Sequence, residues 1–258
     1  MKLYMKYFSM HIQSQMQYKT SFFFAFLGQF MVAFGTFLSI QFMFNRIEGV
    51  AGFSYEEVLI CVAVLGMAFS ASEWIGRGFD RFPSLLGNGG FDRVLVRPRN
   101  EIFQVLASQV DFSRLGRFIQ SVAVLAYALP RSGVDWTWDK VLTLSLMLVC
   151  GTLLFCGLYV VYAGISFFTL EGLEILNALT HGGREHGRLP FGVYGEGVLK
   201  FLTYVVPLAL VQYYPLLYLV GREESVTYAL TPAVALLFLL PCYALFRFGL
   251  RHYKSTGS

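Results

Sequence analysis

Few residues in this chain are suited by type and spacing to do chemistry. His181 and His186 stand five apart in the run His181-Gly-Gly-Arg-Glu-His186, with Glu185 beside the second, a trio with nitrogen and oxygen ligands for a metal. No cysteine or further histidine completes a tetrahedral set, and two glycines and an arginine between the histidines favour a solvated turn, so no metal site is expected. Glu171 and Glu174, three apart on one helical face, form either an acid pair or a solvated helix end. Cys61, Cys150, Cys156 and Cys242 lack CxxC spacing and fall inside apolar runs, which marks them as buried thiols and not as a disulfide framework or zinc site. The sequence contains no GxxxxGK[ST] phosphate loop, no HExxH and no GxSxG. No catalytic set converges, and this chain is expected to be no enzyme and to bind no cofactor of its own.

The elements that must carry these residues are membrane helices. Of 258 residues, 56% are hydrophobic and only 14% charged, with a mean hydropathy of +0.57. Soluble domains carry roughly 25% charged residues, so much of this surface faces lipid. About 20 apolar helical residues cross a bilayer core, and six windows qualify, at about 22–44, 58–75, 101–129, 141–168, 198–214 and 232–248. In the third, only the half from Phe118 is apolar enough to sit deep. The expected fold is all-α, a single transmembrane domain over 1–258 with six spans.

Of the 20 Lys and Arg residues, only Arg46, Arg131, Lys140 and Arg222 fall on one side of that arrangement. Lys and Arg are retained on cytoplasmic flanks, so both termini are expected in the cytoplasm. Trp136 and Trp138 fit the aromatic belt at the outer interface. The net charge of +4 is accounted for by basic flanks against anionic membrane lipids, with no nucleic acid partner. No cleavable signal is evident, and residues 1–21 read as a cytoplasmic interfacial segment.

Ionisable groups inside spans are costly and point to function by default. Here Glu73 lies four residues before Arg77 and Asp111 three before Arg114, so local ion pairs can account for both. That leaves little for a proton- or ion-driven transporter to work with, and directs attention to the wet segment 76–100. It interleaves Phe82, Leu85, Leu86, Phe91 and Leu95 with arginines, has a glycine hinge at Gly87 to Gly90, and stops at Pro98. Short amphipathic helices of this kind suit a groove on a partner.

The run Gly89-Gly90-Phe91-Asp92-Arg93-Val94-Leu95-Val96-Arg97-Pro98 resembles the G-x-[FL]-D-x-x-L-x-R-P pattern of a bacterial branch of the ABC-2 type permeases, the membrane subunits of one class of ATP-binding-cassette exporter. The fifth window is similar to the family's as well, with Leu202-Thr-Tyr-Val-Val-Pro207 followed by Tyr213-Tyr214-Pro215. With length, span number and termini in agreement, the resemblance covers essentially the whole chain. It implies a bacterial plasma-membrane permease that pairs with a second permease subunit, itself or a paralogue. Separate cytoplasmic ATP-binding-cassette ATPases would bind ATP and Mg. Segment 76–100 would then carry the coupling helix between spans two and three, with Phe82, Pro83, Leu85, Phe91, Asp92, Arg93, Leu95 and Arg97 meeting the ATPase. The bland alternative leaves Arg97 and Arg99 on lipid phosphates and Phe91 packed at the membrane surface. A membrane-embedded enzyme and a non-transporting scaffold or sensor are the other classes considered.

Pro207 lacks an amide hydrogen and frees a carbonyl one turn earlier, giving either a kinked or an interrupted fifth helix. In the second case Tyr213, Tyr214 and Pro215 would open an outer, re-entrant segment within 215–231, a helix break or gate covered by protein. The phenylalanines of the first window surround the helix and define no single pore stripe, while Gly28 and Gly35 offer a close-approach face for another subunit.

Overall fold

The structure, a computed structural model, describes residues 2–47, 49–169 and 174–254, and among these it is helical, with no strand. The chain starts with α1 (Lys2–Met16) and α2 (Lys19–Phe44). Then α3 (Tyr55–Asp80) starts at a capping box, in which the Glu57 amide donates to Ser54 Oγ at 3.3 Å and the Ser54 amide to Glu57 Oε2 at 2.9 Å. Three short helices follow, α4 (Phe82–Gly87), α5 (Asp92–Leu95) and α6 (Glu101–Ser108), before α7 (Leu115–Ala128) and the long α8 (Trp138–Ser166). The remainder comprises α9 (Glu174–His186), α10 (Glu196–Tyr204), α11 (Leu208–Leu219), α12 (Val226–Ala235) and α13 (Leu239–His252).

Among the described residues, four helical stretches are long and apolar enough to cross a membrane: α2, Tyr55–Gly87, α8 and Val226–His252. The pair α10 and α11, bent by 112° at their junction, makes a fifth if it is one span. The third window does not form one helix. α6 ends at Ser108, Gln109 is extended, and a 3-10 turn at Phe112–Arg114 leads into α7. The Asp111 carboxylate causes the restart, accepting from the Ser113 amide at 3.1 Å and hydroxyl at 2.6 Å as an N-cap.

α3 and α8 form the centre, with α7 and then α2 against one side and α11, α12 and α13 against the other. Their apolar contacts form three stacked cores. One lies at the α3 N-terminal end around Phe53, Leu59, Met147 and Leu219, one at mid-helix around Phe69, Phe155, Phe191 and Val211, and one under α4 and α5. By contrast α2 is exposed along most of its length, burying only Ala33 and Ile40. It meets α7 at Gly116, where any side chain would run into the Phe26 carbonyl.

α1 packs beside the break between α6 and α7. Its His11 Nε2 lies 3.1 Å from the Ala107 carbonyl, Gln15 Nε2 donates to the Val110 carbonyl at 2.6 Å, and Gln15 Oε1 accepts from the Phe112 amide at 3.1 Å. The break between α6 and α7 strands backbone groups that a continuous helix would pair among themselves. Side chains of α1 satisfy them, while Phe8 stands edge-on to both Trp74 and Phe112.

Candidate functional site: segment 76–100 and the charged interior

Segment 76–100 folds as α4 and α5 joined by a glycine turn, with Gly89 at φ +65°. Phe82 and Phe91 are both 0% exposed. Their rings meet edge-on at 5.0 Å, and each also meets Phe167, at 5.1 and 5.5 Å, beyond the end of α8. Phe246 of α13 and Tyr253 close the cage, at 5.7 Å from Phe82 and 5.3 Å from Phe91 respectively. Each such pair contributes about 0.5–1.5 kcal/mol beyond its area burial, so this cage fastens the segment to the ends of two long helices. Tyr253 Oη donates to Asp92 Oδ1 at 3.0 Å; burial and then that carboxylate push the phenol above its usual range, keeping it a donor. Gln104 Nε2 donates to the Val94 and Arg99 carbonyls at 3.0 Å each, tying α6 to α5. Gly78 lets α3 press directly on the Val105 carbonyl of α6.

The residues expected to meet an ATPase therefore divide. Phe82, Phe91 and Asp92 face this chain's own helices, and Pro83 and Leu85 are half-buried. Arg93, Leu95 and Arg97 are exposed, and so is Val96, at 83%. Sequence reasoning missed Val96, which follows the last residue of the four-residue helix α5. Two aromatics amid arginines read as a greasy outer face because nothing local reveals that Phe167, Phe246 and Tyr253 cover them.

Above the segment lies a charged interior. Glu73, 1% exposed, does not pair with Arg77 as its spacing suggests. It accepts from Arg117 Nη1 at 2.7 Å and lies 3.2 Å from Arg114 Nη1, both from the α7 side. Arg77 instead pairs with Asp80 and approaches Asp111 at 4.0 Å. The expected Asp111–Arg114 pair does form, at 3.2 Å. Gln29 of α2 completes the network, accepting from Arg117 Nη2 at 2.5 Å and Arg114 Nη1 at 3.3 Å.

The run His181–His186 is the end of a helix and not a turn. Helix α9 continues through His186, with His181 5.2 Å from the Phe69 ring and His186 stacked on Tyr194. Gly187 presses on Leu65, near the midpoint of α3. Gln212, 0% exposed, holds the stretch there: its Nε2 donates to the Gly187 and Leu189 carbonyls at 2.9 and 3.1 Å, and its Oε1 accepts from the Phe191 amide at 3.2 Å. Among the described residues no three His, Cys, Asp or Glu side chains group as metal ligands. Glu171 lies outside the described residues, and with it the pairing to Glu174.

At the fifth window the helix is interrupted, not kinked, and the interruption falls at Val205–Pro207, between α10 and α11. Tyr213, Tyr214 and Pro215 do not open a new segment, since α11 runs through them to Leu219. Pro215 is tolerated inside it, while Tyr214 Oη lies 3.2 Å from Thr203 Oγ1 and bridges the bend. After Gly221 the chain turns back, with Arg222 Nη2 donating to the Gly52 carbonyl at 2.6 Å and Glu57 Oε2 at 2.8 Å.

Comparison with curated proteins and with solved structures gives no match. The family model described as ABC-2 family transporter protein matches residues 30–257, from α2 through the end of α13. With that match over most of its length, the chain belongs to the ABC-2 family of transporter membrane proteins.

Proposed function

We propose that this chain is the permease subunit of an ATP-binding-cassette exporter in a bacterial plasma membrane, working beside a second permease subunit, itself or a paralogue. Separate cytoplasmic ATPase subunits carry ATP and Mg. In this reading α7 with its flanking 3-10 turns supplies a sixth crossing, and an even number of crossings returns both termini to the cytoplasm, where anionic lipids meet the basic flanks. The observation that carries the reading is the construction of the α4–α5 unit. Its base is bolted to α8 and α13 through Phe82 and Phe91, while Arg93, Leu95, Val96 and Arg97 stand free. A part that transmits a push needs both a rigid root and an open face.

Closure of the ATPase pair on ATP would press this face, and differential affinity for the inward- and outward-facing states would supply the bias. The bend at Pro207, bridged by Thr203 and Tyr214, is the joint proposed to yield. The test is copurification of the full chain with its ATPase after the double change Arg93→Glu/Arg97→Glu. Association should fall while the melting temperature of the permease holds. Unchanged association, with ATP hydrolysis as well coupled as before, would sink the assignment and favour a scaffold.

A further inference from the structure

Beside the charged interior, near the midpoint of α3, lies a small cavity of about 40 Å³ walled by α2, α3, α7 and the end of α9. One wall is apolar, with Ala33, Val62 and Leu65; the other presents Arg117, Arg184 and Arg188 together with Gln120 and Ser121. Gly66 makes room for the wall, since a Cβ there would sit 2.6 Å from Ser121 Oγ.

The three guanidiniums have two carboxylates between them. Glu185 pairs with both Arg184 and Arg188, and Glu73 serves Arg117 while also contacting Arg114. Arg117 is 8% exposed, yet its Nε has no hydrogen-bond partner among the described residues. Arg117 and Arg184 also crowd one aromatic ring, their Cζ atoms 5.7 and 5.2 Å from the Phe69 centroid. Like charges brought this close at membrane depth are held at a cost that an anion between them would relieve. Planar guanidinium forks match the oxygens of phosphate and carboxylate. The half-apolar wall and the largely exposed α2 beside it suit a ligand with an apolar tail.

We infer that the cavity bounded by Arg117, Arg184 and Arg188 recognises the anionic headgroup of an amphiphile, and that such amphiphiles are the cargo class. The cargo assignment rests on the permease reading above; the binding site does not.

Binding to the full-length chain in a neutral maltoside detergent is measured by calorimetry with three probes: dodecyl phosphate, zwitterionic dodecylphosphocholine and inorganic phosphate. Dodecyl phosphate should bind at least about tenfold more tightly than either of the others, the scale of one charge-assisted hydrogen bond. Arg184→Gln/Arg188→Gln should weaken it by about tenfold or more. Glu185→Gln removes the competing carboxylate and should strengthen it. Equal affinity for dodecylphosphocholine overturns the anion assignment, and equal affinity for inorganic phosphate overturns the amphiphile. An unchanged or weaker Glu185→Gln overturns the site even where the double variant does not fold. In the assembled complex dodecyl phosphate should also stimulate ATP hydrolysis; binding without stimulation marks a resident lipid and overturns the cargo class. Loss of ATPase association with anion binding intact would count against the permease reading alone.

Discussion

Replacing Glu73 by glutamine strikes the most deeply buried of the ion-paired carboxylates among the described residues. Its two oxygens face Arg117 at 2.7 Å and Arg114 at 3.2 Å, and the side chain is 1% exposed, so water cannot take its place. Removing one partner of a buried ion pair costs about 3–5 kcal/mol, because the other charge remains buried without compensation. At roughly 2–4 °C per kcal/mol for a chain of this size, the midpoint of thermal unfolding in detergent should drop by on the order of 10 °C. Arg114 keeps Asp111 at 3.2 Å and Gln29 at 3.3 Å, so the orphaned charge is chiefly that of Arg117. Changing both members, Glu73→Gln with Arg117→Met, should therefore recover most of the loss. Intrinsic fluorescence during a thermal ramp of the four proteins of the cycle gives the coupling. If Glu73→Gln melts within about 2 °C of the parent, or the two changes simply add, the carboxylate is not what compensates Arg117 and the reasoning fails.

Other expectations follow from the same packing. Phe91→Ala should open a cavity under α5, cost about 3–5 kcal/mol, and weaken ATPase association although residue 91 faces inward; unchanged association would show that the segment needs no rigid root. Gln212→Leu strips partners from three buried backbone groups, at about 1–3 kcal/mol for each unsatisfied group, and hydrogen exchange at residues 187–191 should accelerate. Gly78→Ala should push α6 off α3 through the Val105 carbonyl, read as a lower melting temperature with the Val105→Ala control unable to rescue it, since the obstacle is backbone. Gln15→Leu should expose the α6–α7 junction to exchange at residues 110–112 without altering the rest.

How much of this was legible in the sequence depended on the range over which each feature is determined. Membrane residence and the apolar spans follow from composition and run length, which are local sums. The family likeness rested on Gly89 to Pro98 and the Pro207 region, and it holds over residues 30–257. The interruption at Asp111 did not show in hydropathy, because an N-capping carboxylate breaks a helix by hydrogen bonding and leaves the apolar average almost untouched. The partners of Glu73 stand 41 and 44 residues away, in α7 and the turn before it, so the nearest arginine in sequence was a poor guide. The stretch around Gly182, Gly183 and Gly187 suggested a turn because glycine usually frees the backbone. Here the missing side chains of Gly183 and Gly187 serve close approach to Leu208 and Leu65.

The clasp of α1 on the α6–α7 junction has a consequence for biosynthesis. His11 and Gln15 leave the ribosome 95 to 97 residues ahead of the backbone groups they hold. α1 must therefore wait, without its partners, while α2 and α3 are inserted. Only when residues 107–112 have been translated can it lock down, so α1, made before α2 and α3, reaches its final place after them.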